Sequence, residues 1–144
     1  MGSSVGFVIL TWYSEKYISE CLNSLIALCG NGISGNIVVI DNGSSDNTVQ
    51  KINQVFRIDR NDVEHKLFQL EKNYGTTISR NIGIRYLLEC QKKPNYICVL
   101  DSDTVVNKLA MENLISVLES NPGCGLVGPR MHDANMVYQR SGRQ

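Results

Sequence analysis

Long hydrophobic runs are missing from this 144-residue chain. Segments such as Phe7 to Leu10, Ile37 to Ile40 and Tyr96 to Leu100 fall far short of the roughly 20 apolar residues a membrane span needs. No membrane-crossing helix is expected. A net charge is also missing: Lys plus Arg and Asp plus Glu each count 14, so no overall field draws the chain to nucleic acid or to an acidic surface. Anion binding, if present, must be local. Histidine is scarce, with only His65 and His132, far apart and in polar surroundings, which argues against a histidine-based metal centre and for two solvated loop residues. The N-terminus lacks the basic and then apolar segments of a secretory signal, and the five cysteines (Cys21, Cys29, Cys90, Cys98, Cys124) are an odd number without the close spacing of zinc or redox motifs. They read as reduced core residues of a cytoplasmic protein.

What is present is alternation. Five short apolar runs, Val5 to Leu10, Ile37 to Ile40, Leu67 to Leu70, Tyr96 to Leu100 and Gly125 to Val127, are too short for helices and read as strands. Between them lie segments of helical spacing: Ile18, Cys21, Leu22, Leu25 and Ile26; Val49, Ile52 and Phe56; Ile78, Ile82, Tyr86 and Leu87; Leu114, Ile115 and Leu118. Asn61 to Lys66 and Gly30 to Gly35 read as loops. Strands apolar on both faces and separated by helices pair in parallel, which gives an α/β, Rossmann-like layered sheet in one domain over residues 1–144. In such a sheet ligands bind outside the carboxyl ends of the strands. The residues there are Thr11-Trp12-Tyr13-Ser14, Asp41-Asn42-Gly43-Ser44-Ser45-Asp46, Glu71-Lys72-Asn73-Tyr74-Gly75 and Asp101-Ser102-Asp103. Ser14, Ser44 or Ser45, and Asn107 also suit the N-caps of the helices that follow.

Asp101 and Asp103 lie two apart at the end of an apolar strand, so their carboxylates leave the chain on the same side. Like charges so placed repel unless a cation sits between them, and Mg²⁺ or Mn²⁺ bound with a diphosphate is the natural partner. A turn-capping Asp101 beside a solvated Asp103 is the competing reading.

Four motifs in order give a more specific indication. Val8-Ile9-Leu10-Thr11-Trp12-Tyr13-Ser14, Val38-Val39-Ile40-Asp41-Asn42-Gly43-Ser44-Ser45-Asp46, Asn73-Tyr74-Gly75 with Ser79-Arg80-Asn81-Ile82-Gly83-Ile84, and Asp101-Ser102-Asp103 resemble the successive motifs of the family 2 glycosyltransferases with the GT-A fold. The tail, Gly128-Pro129-Arg130 and then Gln139 to Arg143, is similar to the rhamnosyltransferase-like branch. The resemblance implies an inverting, metal-dependent transfer from a nucleoside-diphosphate sugar to an acceptor hydroxyl on a glycan or lipid-linked molecule. Thr11, Tyr13 and Asp41 would line the nucleoside pocket, and Asn42 stands where many relatives carry a second acid. Gly75 would let the backbone approach the nucleotide, Arg80 would meet the pyrophosphate or the acidic cluster, and Ser102 would lie against the donor. Asp101 and Asp103 would hold Mn²⁺ or Mg²⁺. A UDP- or dTDP-sugar suits these residues better than a GDP-sugar. Trp12 is read either as a stacking partner for the base or as a core residue.

No acid after Asp103 stands in a segment like the family's acceptor-side base motif, so the chain is expected to be the donor-binding part of a longer protein, one that could lie against the inner face of a membrane. Two other readings compete. Asp101-Ser102-Asp103-Thr104-Val105 fits the nucleophile loop of haloacid-dehalogenase-like phosphatases, which place it on their first core strand. A non-catalytic nucleotide-binding module is the other.

Overall fold

The computed structural model describes residues 3–29, 33–58, 63–133 and 135–139. They fall into two compact units, Met1–Val106 and Asn107–Gln144. The first contains β1 (Ser4–Thr11), α1 (Ile18–Cys29), β2 (Ser34–Asp41), α2 (Thr48–Ile58), β3 (Glu64–Gln69), α3 (Thr76–Glu89) and β4 (Tyr96–Asp101). All four strands are parallel, in the order β3-β2-β1-β4. In the second are α4 (Lys108–Ser120) and an antiparallel pair, β5 (Met131–His132) with β6 (Tyr138–Gln139).

The sheet of the first unit is covered on both faces, as the unbroken apolar runs of β1 and β2 demand. Along these strands successive side chains alternate between faces. Val8, Val38 and Ile40 are fully buried with Leu87 of α3, and Leu10, Phe68, Leu70, Ile84 and Ile97 pack around them. Phe7, Ile9, Ile37 and Val39, on the opposite face, are fully buried, as are Ile18, Leu22 and Leu25 of α1 and Ile52 of α2.

Helix α3 departs from its expected phase. Ile78 and Tyr86 are exposed, and the buried stripe is Ser79, Gly83 and Leu87. The reason is proximity: a Cβ at Gly83 would stand 2.7 Å from Val8 Cγ1 and 3.0 Å from Ile40 Cδ1. A helix lying that close to a sheet needs small residues at the closest approach, so Ser79 and Gly83 face in ahead of Leu87 while Ile78 and Tyr86 turn out.

Several other expectations need correction. Glu64 to Lys66 belong to β3 rather than to a loop, and their exposed charged side chains suit a strand at the sheet edge; Asn61 and Asp62 lie outside the described residues. His65 is therefore a strand residue, its ring stacked on Phe56 at 4.1 Å. His132 likewise stands in β5. Ser34 and Gly35 already belong to β2, while Gly30 to Gly32 lie outside the described residues. Gly125 to Val127 form no strand, and Leu126 is 90% exposed; hemmed by Pro122, Gly123, Gly128 and Pro129, so short a run has little to hold it extended. Of the expected caps, Asn107 does cap α4, accepting from the Ala110 N–H at 2.7 Å. At α2 the Thr48 N–H is taken by Asp46 Oδ1 at 3.1 Å rather than by Ser44 or Ser45. The tail motif from Arg140 to Arg143 lies outside the described residues.

All five cysteines are thiols, but of these only Cys21 is fully enclosed. Among the described residues no helix is long and apolar enough to cross a membrane.

Candidate functional site

The register of the sheet brings the predicted residues to one edge. Thr11 at the end of β1 lies opposite Asp41 at the end of β2, and Leu10 lies opposite Asp101 at the end of β4. Parallel pairing alone does this: strands entering from the same end must finish together, and their loops form a common rim.

Thr11 and Asp41 are both buried. Asp41 Oδ2 accepts the Ser44 N–H at 3.1 Å, whereas Asp41 Oδ1 and Thr11 Oγ1 have no hydrogen-bond partner. Buried polar atoms in folded proteins are nearly always paired, and each one left alone costs about 1–3 kcal/mol. Two such atoms on neighbouring strand ends leave unused acceptor capacity at the rim.

Beside them, Trp12 and Tyr13 are 52% and 51% exposed, which rules out core packing for Trp12. Their rings meet edge to face at 5.1 Å. Tyr13 is held at φ 51°, a left-handed conformation that costs a non-glycine residue of order 1 kcal/mol or more. Its N–H donates to Ser44 Oγ at 2.9 Å and its hydroxyl meets Ser45 Oγ at 3.0 Å, so the turn after β2 fixes the turn after β1.

The turn after β2 is in turn fastened to the loop after β3. Gly43, at φ 79°, lies so close to the Lys72 backbone that a Cβ would stand 2.8 Å from Lys72 Cα. Asn42 is buried; its amide oxygen accepts from the Tyr74 N–H at 3.0 Å and the Ser79 hydroxyl at 2.9 Å, and its amide nitrogen donates to Asn73 Oδ1 at 2.8 Å. One amide N–H is left over. Gly75 precedes α3 at φ 81°, with open space where a side chain would be.

Arg80, one residue after Ser79, donates from Nη2 to Asp101 Oδ1 at 2.6 Å, and its Nε is buried without a partner. The Asp101 side chain remains 63% exposed. Asp103 is exposed and has no hydrogen bond or ion pair among the described residues. Ser102 between them is buried, its hydroxyl donating to Ser14 Oγ at 2.7 Å. Among the described residues no three His, Cys, Asp or Glu side chains gather to hold an ion by themselves. Two accessible carboxylates with hard oxygen donors still fit a divalent cation that takes its other ligands from water and phosphate.

Asp103 also acts inward. Burial, and then the charges of Asp103 and Cys98, push the Cys21 thiol from 9.0 to about 12, and burial raises Cys98 from 9.0 to about 11. Above pH 9 the unfolded chain sheds these protons while the folded chain keeps them. The thiols' contribution to stability is therefore whole below pH 9 and lost as pH climbs toward their folded values. Urea midpoints should fall between pH 9 and 11, and Cys21→Ala should flatten that fall by up to about 1.4 kcal/mol per pH unit. An unchanged slope would show that Cys21 ionises freely.

Sequence reasoning named most of this rim, Ser14 and Asn73 among it, but not the hydrogen bonds by which Asn73, Ser79, Thr48 and the Ser14 hydroxyl tie it together. Nothing in one sequence pairs Ser14 with a serine 88 residues away.

The parallel sheet in the order 3-2-1-4, with acidic and aromatic loops at its carboxyl edge, has the GT-A fold. The chain belongs to glycosyl transferase family 2, which it matches over residues 7–144. It is 30% identical over 115 residues to the poly(ribitol-phosphate) beta-N-acetylglucosaminyltransferase TarS of Staphylococcus aureus, covering 79% of this chain and 18% of that protein. It is 27% identical over 135 residues to the poly-beta-1,6-N-acetyl-D-glucosamine synthase of Staphylococcus epidermidis, covering 92% of this chain and 30% of that protein. The crystal structure of S. aureus TarS 1-349 in complex with UDP superimposes with a TM-score of 0.64 at 26% identity, covering 87% of this chain and 38% of that one. The chain thus spans less than a third of the length of these two curated relatives. Asp101 ends the fourth strand in sequence, not the first, and family membership sets the phosphatase reading aside.

Proposed function

We propose that residues 1–144 are the donor-binding part of an inverting, metal-dependent glycosyltransferase that moves a sugar from a UDP- or dTDP-sugar to a hydroxyl of a glycan or lipid-linked acceptor. The observation that carries this reading is the pair of buried, unpartnered oxygens, Thr11 Oγ1 and Asp41 Oδ1, at adjacent strand ends. Asp41 Oδ1 accepts the imide N–H of a uracil or thymine, which a purine presents differently. Tyr13, and Trp12 beside it, stack on the base, and their fixed turn lowers the ordering cost of doing so. Asn42 acts on the nucleotide chiefly by holding the loop that ends in Gly75, whose open side admits the nucleoside. Arg80 shares its guanidinium between Asp101 and the diphosphate.

Asp101 and Asp103 would hold Mn²⁺ or Mg²⁺, with Asp101 also free to meet the ribose. When bound, such a cation stabilises the negative charge that builds on the diphosphate leaving group. The acceptor hydroxyl gives its proton to a carboxylate base that is none of these donor-site residues. The family match across both compact units supports treating 1–144 as one donor-binding part, the UDP complex of TarS supports a pyrimidine nucleotide, and the relatives, one a poly(ribitol-phosphate) glycosyltransferase and one a polysaccharide synthase, support a glycan acceptor.

Calorimetric titration with UDP, dTDP and GDP in Mn²⁺ tests the reading. UDP or dTDP should bind and GDP should bind much more weakly. Asp41→Ala should weaken pyrimidine binding by roughly 10–100-fold, the worth of a hydrogen bond to a charged group. Equal affinity for all three nucleotides, or no effect of Asp41→Ala, would remove the base-reading role.

A further inference from the structure

The Ser14 and Ser102 hydroxyls form a buried bridge between two rim loops that otherwise belong to different ends of the donor site. Ser102 Oγ donates to Ser14 Oγ at 2.7 Å, and Ser14 Oγ donates onward to the Trp12 carbonyl at 3.2 Å. The Ser14 N–H donates to the buried hydroxyl of Thr48 at 2.8 Å. A line of donors therefore runs from the middle of the acidic triad to the carbonyl that precedes the left-handed turn at Tyr13. Both serines sit within one residue of groups that face the donor: Ser14 follows Tyr13, and Ser102 separates Asp101 from Asp103.

We infer that this hydroxyl bridge is a positioning device that sets the span between the base end and the diphosphate end of the site, so that nucleoside and divalent cation reinforce each other's binding. The inference rests on the donor-site reading above. Its physical basis is that neither loop is otherwise pinned to the other by a side-chain hydrogen bond among the described residues, while each carries a ligand-facing group one residue from the bridge. Filling one end holds its loop still, and through the bridge holds the other.

Stability and positioning are separable here. Ser14→Ala alone strands the Ser102 hydroxyl and should lower the melting temperature. In Ser14→Ala/Ser102→Ala both hydroxyls go together and only the carbonyl of the exposed Trp12 loses a donor, which costs far less than stranding a buried hydroxyl. Uridine and UDP are titrated into the wild-type chain and the double variant, with and without Mn²⁺. The double variant should melt near the wild type and keep its affinity for uridine. Its Mn²⁺-dependent gain in UDP affinity should fall about tenfold, within the range of coupling between groups in one network. Ser102→Ala alone, which keeps the bond from Ser14 to Trp12, gives the same readout should the double variant not fold. An undiminished Mn²⁺ gain would overturn the inference and leave the donor site intact. So would equal losses for uridine and UDP with a lowered melting temperature, the mark of a purely structural pair. If the wild type itself shows neither UDP binding nor a Mn²⁺ effect, it is the donor-site reading that fails, and the coupling with it.

Discussion

Asp103→Ala should abolish the effect of Mn²⁺ on UDP affinity while leaving the fold untouched. The Asp103 carboxylate is exposed and makes no hydrogen bond or ion pair among the described residues, so its removal costs little stability. As a cation ligand its loss should cost at least the roughly 10–100-fold in metal affinity that follows loss of an outer-shell partner. Asp101→Ala should behave differently, because Asp101 is the partner of Arg80. Its removal frees the guanidinium for the diphosphate, so metal-free UDP binding should persist or rise as the Mn²⁺ effect falls. Calorimetry with and without Mn²⁺, together with Mn²⁺ electron paramagnetic resonance, separates the two variants. A Mn²⁺ effect that survives Asp103→Ala would place the ion on other residues.

The second large effect is on stability. Leu87 is fully buried against Val8, Val38 and Ile40, and its side chain occupies the slot over Gly6, where a Cβ would stand 2.6 Å from Leu87 Cδ1. Leu87→Ala should therefore lower the unfolding free energy by about 2–5 kcal/mol, as a transfer loss plus a cavity. Gly6→Ala should also destabilise, because the added methyl overlaps Leu87 and, at 2.9 Å, Pro94 Cγ. Combined, the two should cost less than their sum, since the new methyl enters space the truncation opens. Urea denaturation of the four proteins measures this cycle, and strict additivity would mean that Leu87 and Gly6 do not share that space.

Much of the architecture was legible from the residues. The runs in β1, β2 and β4 are apolar on both faces, and only a parallel sheet with helices on either side buries both. Asp41, Asp101 and Thr11 were found because they follow such runs directly. Where reading failed, the cause was spacing in three dimensions. The periodicity of α3 pointed at Ile78 and Tyr86, yet the helix lies against the sheet through Ser79 and Gly83, a choice set by the distance between layers. In β3 the edge position lets Glu64, His65 and Lys66 stand in a strand that their polarity argued against. At Gly125 to Val127 the apolar run alone pointed to a fifth strand, but between Pro122, Gly123, Gly128 and Pro129 so short a run has little to hold it extended.

The sequence by itself determined the parallel order of alternating elements and the identity of the rim residues. Hydrophobic burial acts on each segment locally, and a polar residue after an apolar strand has nowhere to go but the strand's mouth. Only the tertiary structure decided which of those residues have spare hydrogen-bonding capacity and which are spent on holding the rim. The side chains of Asn42 and Ser102 are bonded to Asn73, Tyr74, Ser79 and Ser14, while Thr11 and Asp41 keep an oxygen unpaired. Hydrogen bonds are short-ranged and directional, so their pairing depends on positions that no linear spacing encodes.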